Sequence, residues 1–317
     1  MKIIGTLGLL ILLLFPCNEA SAQPRRTLLD AGASGKVEAV PQGRGEALRL
    51  VRGNRTLWEA RDQRFAAFRN GAAIPLGNGG QAIGITGWTG GAYCCWTLHL
   101  FRRTPQGVAH VASLPLGKRE PDVIRLAVPG GPAVQVADAA FDFWEAPASL
   151  ATDLHPTVPF RWTGQALEPD VAAMRRPIAA ALGTACIEMA APADMPPPER
   201  RVATYPDTEA AIADLGGREW SRGPGATGPH PGVEAARLAT CLIYSGQAAE
   251  ARRLLRTVWP EGVPGLAETE RQITARLACS PFVAAVRAAN PNGAPYVGGR
   301  CTPNSPAQTA LYALNWR

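Results

Sequence analysis

Two adjacent cysteines and a nearby histidine form the most reactive group of side chains in this sequence. Cys94, Cys95 and His99 lie in the stretch GGAYCCWTLHLF, whose composition predicts a β-strand. Residues four positions apart on a strand face the same side, so Cys95 and His99 would be neighbours. With His110 on the next predicted strand, they could form a thiol site or a metal site. Because their spacing is diagnostic of neither, we predict no metal and no cofactor.

The cysteines also have a structural interpretation. The chain contains seven cysteines, and removal of Cys17 with a predicted signal peptide would leave an even number. In an oxidising compartment an even number favours disulfides. The disulfide candidates are Cys94, Cys95, Cys186, Cys241, Cys279 and Cys301.

Some pairings of these cysteines are more economical than others. A bond between Cys279 and Cys301 would close a loop of about twenty residues and fix an irregular tail. Cys186 and Cys241 both lie in predicted helices and are a second possible pair. Adjacent residues on a strand face opposite sides, so Cys94 and Cys95 could have separate partners. The connectivity stays open at this point.

Three acidic residues offer a different chemistry. Asp138 and Asp142 are predicted on one face of a strand, and Glu145 follows closely. Glycoside hydrolysis needs two carboxylates across a cleft, a distance that sequence does not give. Polar strand ends explain the same residues equally well, so we predict no catalytic residue here.

Aromatic residues give the strongest indication of a binding surface. Trp88 in TGWTGG and Trp144 in FWEAP lie next to glycine or proline turns, where large rings are often exposed. Trp96 and His99 lie in the same half of the chain. We predict a ligand or partner surface formed by Trp88, Trp96, His99 and Trp144.

The stretch CCWT is similar to the Cys-Trp sequence of papain-like proteases, and His230 follows Cys95 by about 135 residues, near the spacing of that family. The resemblance would make a cysteine the nucleophile and His230 its base. The sequence departs from the family pattern before Cys94, where Ala92 and Tyr93 stand in a strand-like context, and His230 lies between two prolines. Structural disulfides therefore remain the preferred interpretation.

The N-terminus predicts export from the cytoplasm. Lys2 precedes the apolar run Ile3–Phe15, and Ala20-Ser21-Ala22 provides a small-residue cleavage site. This is the pattern of a secretory signal peptide, with the mature chain starting at Gln23. We predict a periplasmic or secreted protein without a transmembrane segment in the mature chain.

The charge of the chain does not indicate a nucleic-acid partner. The net charge is +6 and the isoelectric point about 9.1, but arginines are scattered among acidic residues. A nucleic-acid interface requires basic residues clustered on one face. We predict that the protein binds no nucleic acid.

The hydrophobic pattern predicts an α+β protein. Short apolar runs separated by turn residues indicate an antiparallel β-rich region, a sandwich or a partial propeller, with hairpins at Gly53-Asn54 and Asn70-Gly71. Helical periodicity follows Pro169. The predicted divisions are a signal peptide at 1–22, a flexible segment at 23–44, a β-rich domain at 45–168, a helical domain at 169–290 and an irregular tail at 291–317.

One part of the helical region resembles a tetratricopeptide repeat. Tyr244, Gly246 and Ala251 match aromatic or small positions of that repeat, and Pro260 ends the second helix. The resemblance covers about twenty residues of one repeat, whereas such arrays need about three repeats. It implies a helical hairpin over residues 231–260.

These observations favour a non-catalytic binding or scaffold protein of the bacterial envelope. Its expected partner is another envelope protein or a cell-wall component. The alternative is a secreted hydrolase that uses Asp138, Asp142 and Glu145, or a thiol site of Cys95 and His99.

Overall fold

Three antiparallel β-sheets precede a group of α-helices, which confirms the α+β class. The fold is seen in a computed structural model that describes residues 24–91, 95–121, 125–126, 134–142, 154, 156–175, 205–220, 230–291 and 294–302.

The first sheet has four strands in chain order. They are β1 (Arg26–Asp30), β2 (Lys36–Gln42), β3 (Gly45–Arg52) and β4 (Arg55–Asp62). The predicted Gly53-Asn54 hairpin joins β3 to β4. The predicted flexible segment at 23–44 is corrected, because it contains β1 and β2. Val37 and Ala39 of β2 are fully buried, so burial of this apolar face orders the segment.

The second sheet lies at the centre of the β region. Its strands are β5 (Arg64–Ala67), β6 (Ala73–Gly77), β7 (Gly80–Trp88), β8 (Trp96–Thr104) and β9 (Gly107–Gly117). The predicted hairpin at Asn70-Gly71 is wrong, because β5 and β6 both pair with β7 and follow one another along its edge. The tight hairpin is formed instead at Asn78-Gly79, where both residues have positive φ (48° and 71°), as a type I′ turn requires.

The third sheet contains β10 (Arg125–Leu126), β11 (Val134–Ala137), β12 (Thr157–Trp162) and β13 (Leu167–Pro169). A short 3₁₀ helix, Ala139–Phe141, follows β11. The predicted change from strands to helices coincides with the end of β13.

The helices are α1 (Val171–Met174), α2 (Thr208–Gly216), α3 (Pro231–Tyr244), α4 (Ala248–Val258), α5 (Leu266–Ala278) and α6 (Val283–Ala289). The helices α3 and α4 form a hairpin within the predicted range 231–260. Gly246 lies between them at φ 73°, and a Cβ there would come within 2.8 Å of the Ala289 carbonyl oxygen. Glycine is therefore required at this turn for both conformation and space.

Two hydrophobic cores hold these layers together. The smaller core lies between the first and second sheets and includes Leu48, Phe65, Ile85 and Phe101. The larger core joins the other face of the second sheet to the third sheet and to the helices. The β-rich and helical regions therefore share one core. Within the described ranges, no helix has the length and apolar character needed to cross a membrane.

Candidate functional site

Two tryptophans stack at one end of the central sheet. Trp88 ends β7 and Trp96 begins β8, and the strand register places them opposite one another. Their ring centroids are 6.0 Å apart with an angle of 30° between the ring planes. Both side chains are half-buried. The structure thus brings together two of the four residues of the predicted aromatic surface.

An arginine on the neighbouring strand extends this aromatic pair. Arg64 of β5 is the register partner of Trp88, and its guanidinium carbon lies 5.4 Å from the centroid of the Trp88 ring. The guanidinium is attracted by the electron-rich face of the indole ring. Arg64 is exposed, so its charge remains available at the surface.

A cleft of about 350 Å³ opens beside Trp96. Its lining combines aromatic, small apolar and charged residues: Arg64, Ala66, Ala67, Phe68, Arg69, Asn70, Thr86, Trp96, Glu120 and Pro121. Ligand sites commonly combine apolar walls with a few placed polar groups, and this volume lies at the small end of their usual range. We refer to it as the Trp96 cleft.

The charged groups of the Trp96 cleft are predominantly basic. Arg64 and Arg69 are exposed, as is Glu120. Within the described ranges, neither arginine forms an ion pair, in contrast to Arg49 and Arg61, which both contact Glu59. The two guanidinium groups can therefore bind an anionic group without first breaking an internal salt bridge.

Backbone conformation fixes one side of the Trp96 cleft. Arg69 and Asn70 have φ values of 46° and 55°, in the left-handed region that few non-glycine residues adopt. The guanidinium carbon of Arg69 lies 5.0 Å from the Phe68 ring centroid, and Phe68 is buried in the larger core. Because Phe68 is fixed in the core, its contact with Arg69 holds the guanidinium group at the rim of the Trp96 cleft.

His99 lies away from the Trp96 cleft, which corrects its place in the predicted aromatic surface. Its Nδ1 is 2.8 Å from the Ser113 hydroxyl oxygen, and His110 Nε2 is 2.9 Å from the same oxygen. Trp58 of the first sheet stacks on His110 at 4.2 Å. His99 is buried, with 3% of its surface exposed, and it faces the first sheet. Trp144 lies outside the described residues.

Burial keeps both histidines neutral. Loss of solvation lowers the pKa of His99 to about 3, with the nearby His110 as a smaller cause. Burial likewise lowers the pKa of His110 to about 4, against a hydrogen bond to the Ala112 backbone that raises it. A serine hydroxyl can donate to one neutral imidazole and accept from the other. The arrangement satisfies all three side chains as a buried hydrogen-bonded cluster.

The structure leaves no free thiol at Cys95, because this residue is disulfide-bonded. Cys95 lies just before β8 rather than within the predicted strand, and its backbone amide donates to the Thr89 hydroxyl at 2.6 Å. In this state it cannot supply the nucleophile of a Cys95–His99 site. Cys94 lies outside the described residues.

Two further described cysteines form the bond that the sequence favours. Cys279 and Cys301 are joined by a disulfide, 22 residues apart in the chain. This bond connects the end of α5 to the described part of the C-terminal tail. Cys241 of α3 is also disulfide-bonded, whereas Cys186 lies outside the described residues.

The two aspartates lie at opposite ends of the 3₁₀ helix, which corrects their predicted position on one strand face. Asp138 is fully buried and accepts hydrogen bonds from the hydroxyls of Tyr244 and Ser280. Desolvation raises its pKa, while these hydrogen bonds lower it. Its carboxylate connects the third sheet to the helices.

Asp142 has a similar internal role. One of its carboxylate oxygens accepts from the Lys118 backbone amide at 2.9 Å, and its own carbonyl accepts from Arg276. These contacts join β9, the 3₁₀ helix and α5. Glu145, the third acidic candidate, lies outside the described residues. In the portion of the chain covered by the structure, no three His, Cys, Asp or Glu side chains are grouped as metal ligands.

A second concave region lies between β13 and the helices α1 and α6. This groove has a volume of about 640 Å³ and is lined mainly by small apolar residues, with Glu168 as its charged member. It has fewer placed polar groups than the Trp96 cleft. We therefore regard the Trp96 cleft as the better candidate for ligand recognition.

The sequence did not identify the charged residues of the Trp96 cleft. Arg64 and Arg69 precede Trp96 by about thirty residues and become its neighbours because β5 pairs with β7 rather than with β6. The positive φ at Asn70 is consistent with its residue type, but the Asn70-Gly71 pair by itself predicts a hairpin between consecutive strands.

Comparison of the chain with protein-family profiles, curated proteins and solved structures gives no match.

Proposed function

We propose that this protein is a non-catalytic binding protein of the bacterial cell envelope and that the Trp96 cleft is its binding site. The observation that carries the proposal is the combination of a half-exposed tryptophan pair with two exposed guanidinium groups that have no acidic partner in the described ranges. Exposed aromatic rings and arginines are the residue types that dominate binding energy at interfaces.

The proposed location follows from the N-terminal sequence. Export through a signal peptide at residues 1–22 would place the mature chain in an oxidising compartment, where the Cys279–Cys301 disulfide is stable. A cell-wall component or another envelope protein is the expected partner.

A co-sedimentation experiment tests this proposal. The purified mature protein is mixed with insoluble bacterial envelope material, and the bound fraction is measured for the wild type and Trp96→Ala. We expect Trp96→Ala to reduce the apparent affinity by about tenfold or more, as for a central aromatic contact. Leu57→Ala removes an exposed apolar side chain of the first sheet and should bind like the wild type. Equal binding by all three proteins would disprove the assignment of the site.

A further inference from the structure

We propose that the ligand of the Trp96 cleft is an acidic saccharide, a sugar chain that bears carboxylate groups. This inference rests on the proposed binding function and specifies the chemical class of the ligand. Three features of the cleft support it: the aromatic wall, the two guanidinium groups and the polar rim.

The aromatic wall favours a ligand with a flat face of C–H bonds. An indole ring carries negative charge density over its face and attracts partially positive hydrogens above it. Sugar rings present such C–H faces, with their hydroxyl groups directed outward. Trp96 is half-buried and forms one wall of the cleft, so a ring could stack there while its edges contact polar groups.

The guanidinium groups favour a carboxylate on that ligand. Arg64 and Arg69 line the same cleft, and a guanidinium binds a carboxylate through two parallel hydrogen bonds. Some other exposed arginines are neutralised by internal carboxylates, such as Arg253 by Glu209 and Glu250. The Trp96 cleft therefore has a local excess of positive charge that complements an anionic ligand.

The other polar residues of the Trp96 cleft can form hydrogen bonds with the hydroxyl groups of a sugar. Glu120 and Asn70 lie exposed at the rim and can accept hydrogen bonds from sugar hydroxyls. The hydroxyl of Thr86 donates to the Ala66 carbonyl at 3.2 Å and keeps its own oxygen as an acceptor. The left-handed backbone at Arg69 and Asn70 is of the kind that recurs where a loop is held in place to contact a ligand. A simple anion would make no use of these acceptors.

Oligosaccharide titrations with the purified mature protein test this inference. The probes are oligogalacturonate, which carries carboxylates, a neutral malto-oligosaccharide of equal length, a polyglutamate peptide and inorganic phosphate. Binding is followed by calorimetry. We expect oligogalacturonate to bind at least about tenfold more tightly than each of the other probes, which corresponds to about 1.4 kcal/mol.

Matched variants assign the effect to the cleft. The double variant Arg64→Ala/Arg69→Ala should weaken oligogalacturonate binding at least about tenfold. The control Arg44→Ala/Arg55→Ala removes the same charge from exposed positions on the first sheet and should leave binding unchanged. An equal loss in both double variants would indicate non-specific charge attraction and overturn the inference.

Failure of the inference can be separated from failure of the proposed function. Equal or tighter binding of polyglutamate, phosphate or the neutral sugar would overturn the acidic saccharide as ligand. Absence of oligogalacturonate binding would overturn it as well. The proposed binding function would still stand if the wild type, but not Trp96→Ala, sedimented with envelope material.

Discussion

At the scale of single residues, the His99–Ser113–His110 cluster shows why reactive residue types need not form a reactive site. The serine oxygen contacts both imidazoles, as in an activated nucleophile. Ser113 is nevertheless buried, with 4% of its surface exposed, and Trp58 covers the cluster from the first sheet. The hydrogen bonds are therefore best understood as satisfying polar groups between two packed sheets.

The cluster predicts loss of stability in mild acid. The pKa values of His99 and His110 are lowered to about 3 and about 4 in the folded protein, whereas an unfolded histidine has a pKa near 6.5. The unfolded chain therefore binds protons first, and stability falls as the pH decreases from about 6.5 towards 4. Each histidine contributes a slope of up to about 1.4 kcal/mol per pH unit.

Urea unfolding between pH 7.5 and 5 measures this slope. The variant His110→Gln removes one titrating group and should show a shallower decrease in the free energy of unfolding than the wild type. His230→Gln alters a histidine at the start of α3 and serves as the control. A slope unchanged in His110→Gln would contradict the account.

Asp62 has the opposite pH dependence. Burial raises its pKa to about 7, against a backbone hydrogen bond from Gln63 that lowers it. An unfolded aspartate ionises near pH 3.9, so keeping the folded carboxylate charged above pH 7 costs stability. This cost disappears as the pH falls through 7 towards 4.

We therefore expect Asp62→Asn to stabilise the protein at pH 8 by about 1–3 kcal/mol, because the amide has no charge to desolvate. The gain should shrink at pH 4. Denaturant unfolding at both pH values measures it, with the exposed Glu261→Gln as control. Destabilisation of Asp62→Asn at pH 8 would show that the charge is not the main cost at this position.

At the scale of secondary-structure elements, Asp138 joins the third sheet to the helices. It precedes the 3₁₀ helix, and its side chain accepts hydrogen bonds from Tyr244 of α3 and from Ser280, which follows α5. It also accepts from the Ala140 backbone amide at 2.9 Å. The Asp138 carboxylate therefore holds the third sheet and the helices together, and its burial makes it inaccessible to a substrate.

Removal of the Asp138 carboxylate should be costly. Asp138→Ala leaves two buried hydroxyls without their acceptor, and each unsatisfied group costs about 1–3 kcal/mol. We expect destabilisation of about 2–5 kcal/mol, measured by urea unfolding. Tyr244→Phe should cost less, and the double variant should be less destabilised than the sum of the two single changes. Strict additivity would contradict direct coupling between the two side chains.

Two Asn-Gly pairs in the central sheet, Asn70-Gly71 and Asn78-Gly79, show what local sequence could predict about the elements. Asn78-Gly79 closes a tight hairpin, because Gly77 and Gly80 pair with each other on either side. Asn70-Gly71 has the same residue types and also positive φ, but the buried Phe68 and pairing with β7 direct the chain along the sheet. Turn propensity is local, whereas the choice of strand partner depends on distant residues. For the same reason the sequence predicts Trp96 as a surface residue but does not predict that Arg64 and Arg69 line the same cleft.

At the scale of the whole molecule, the larger core makes the β-rich and helical regions one cooperative unit. Its members include Leu100 of β8, Phe160 of β12, Leu254 of α4 and Phe282 beside α6. The helical periodicity predicted the change of secondary structure near residue 169 correctly. Periodicity marks which residues face inward, but it does not tell whether two regions face the same core.

We therefore expect a single unfolding transition. Helix-sensitive circular dichroism and tryptophan fluorescence should give coincident urea unfolding curves. Loss of the helices exposes the apolar face of the second sheet, so neither region remains folded alone. Separate transitions for the two signals would show that the regions fold independently.

The most direct test of the binding account is hydrogen exchange of the mature protein with and without a solubilised bacterial envelope fraction. The account predicts slower exchange at residues 64–70 and 86–88, which line or adjoin the Trp96 cleft, and little change near the groove between β13 and α6. Slower exchange confined to residues 166–171 and 281–288 would contradict it and would place the binding surface on that groove.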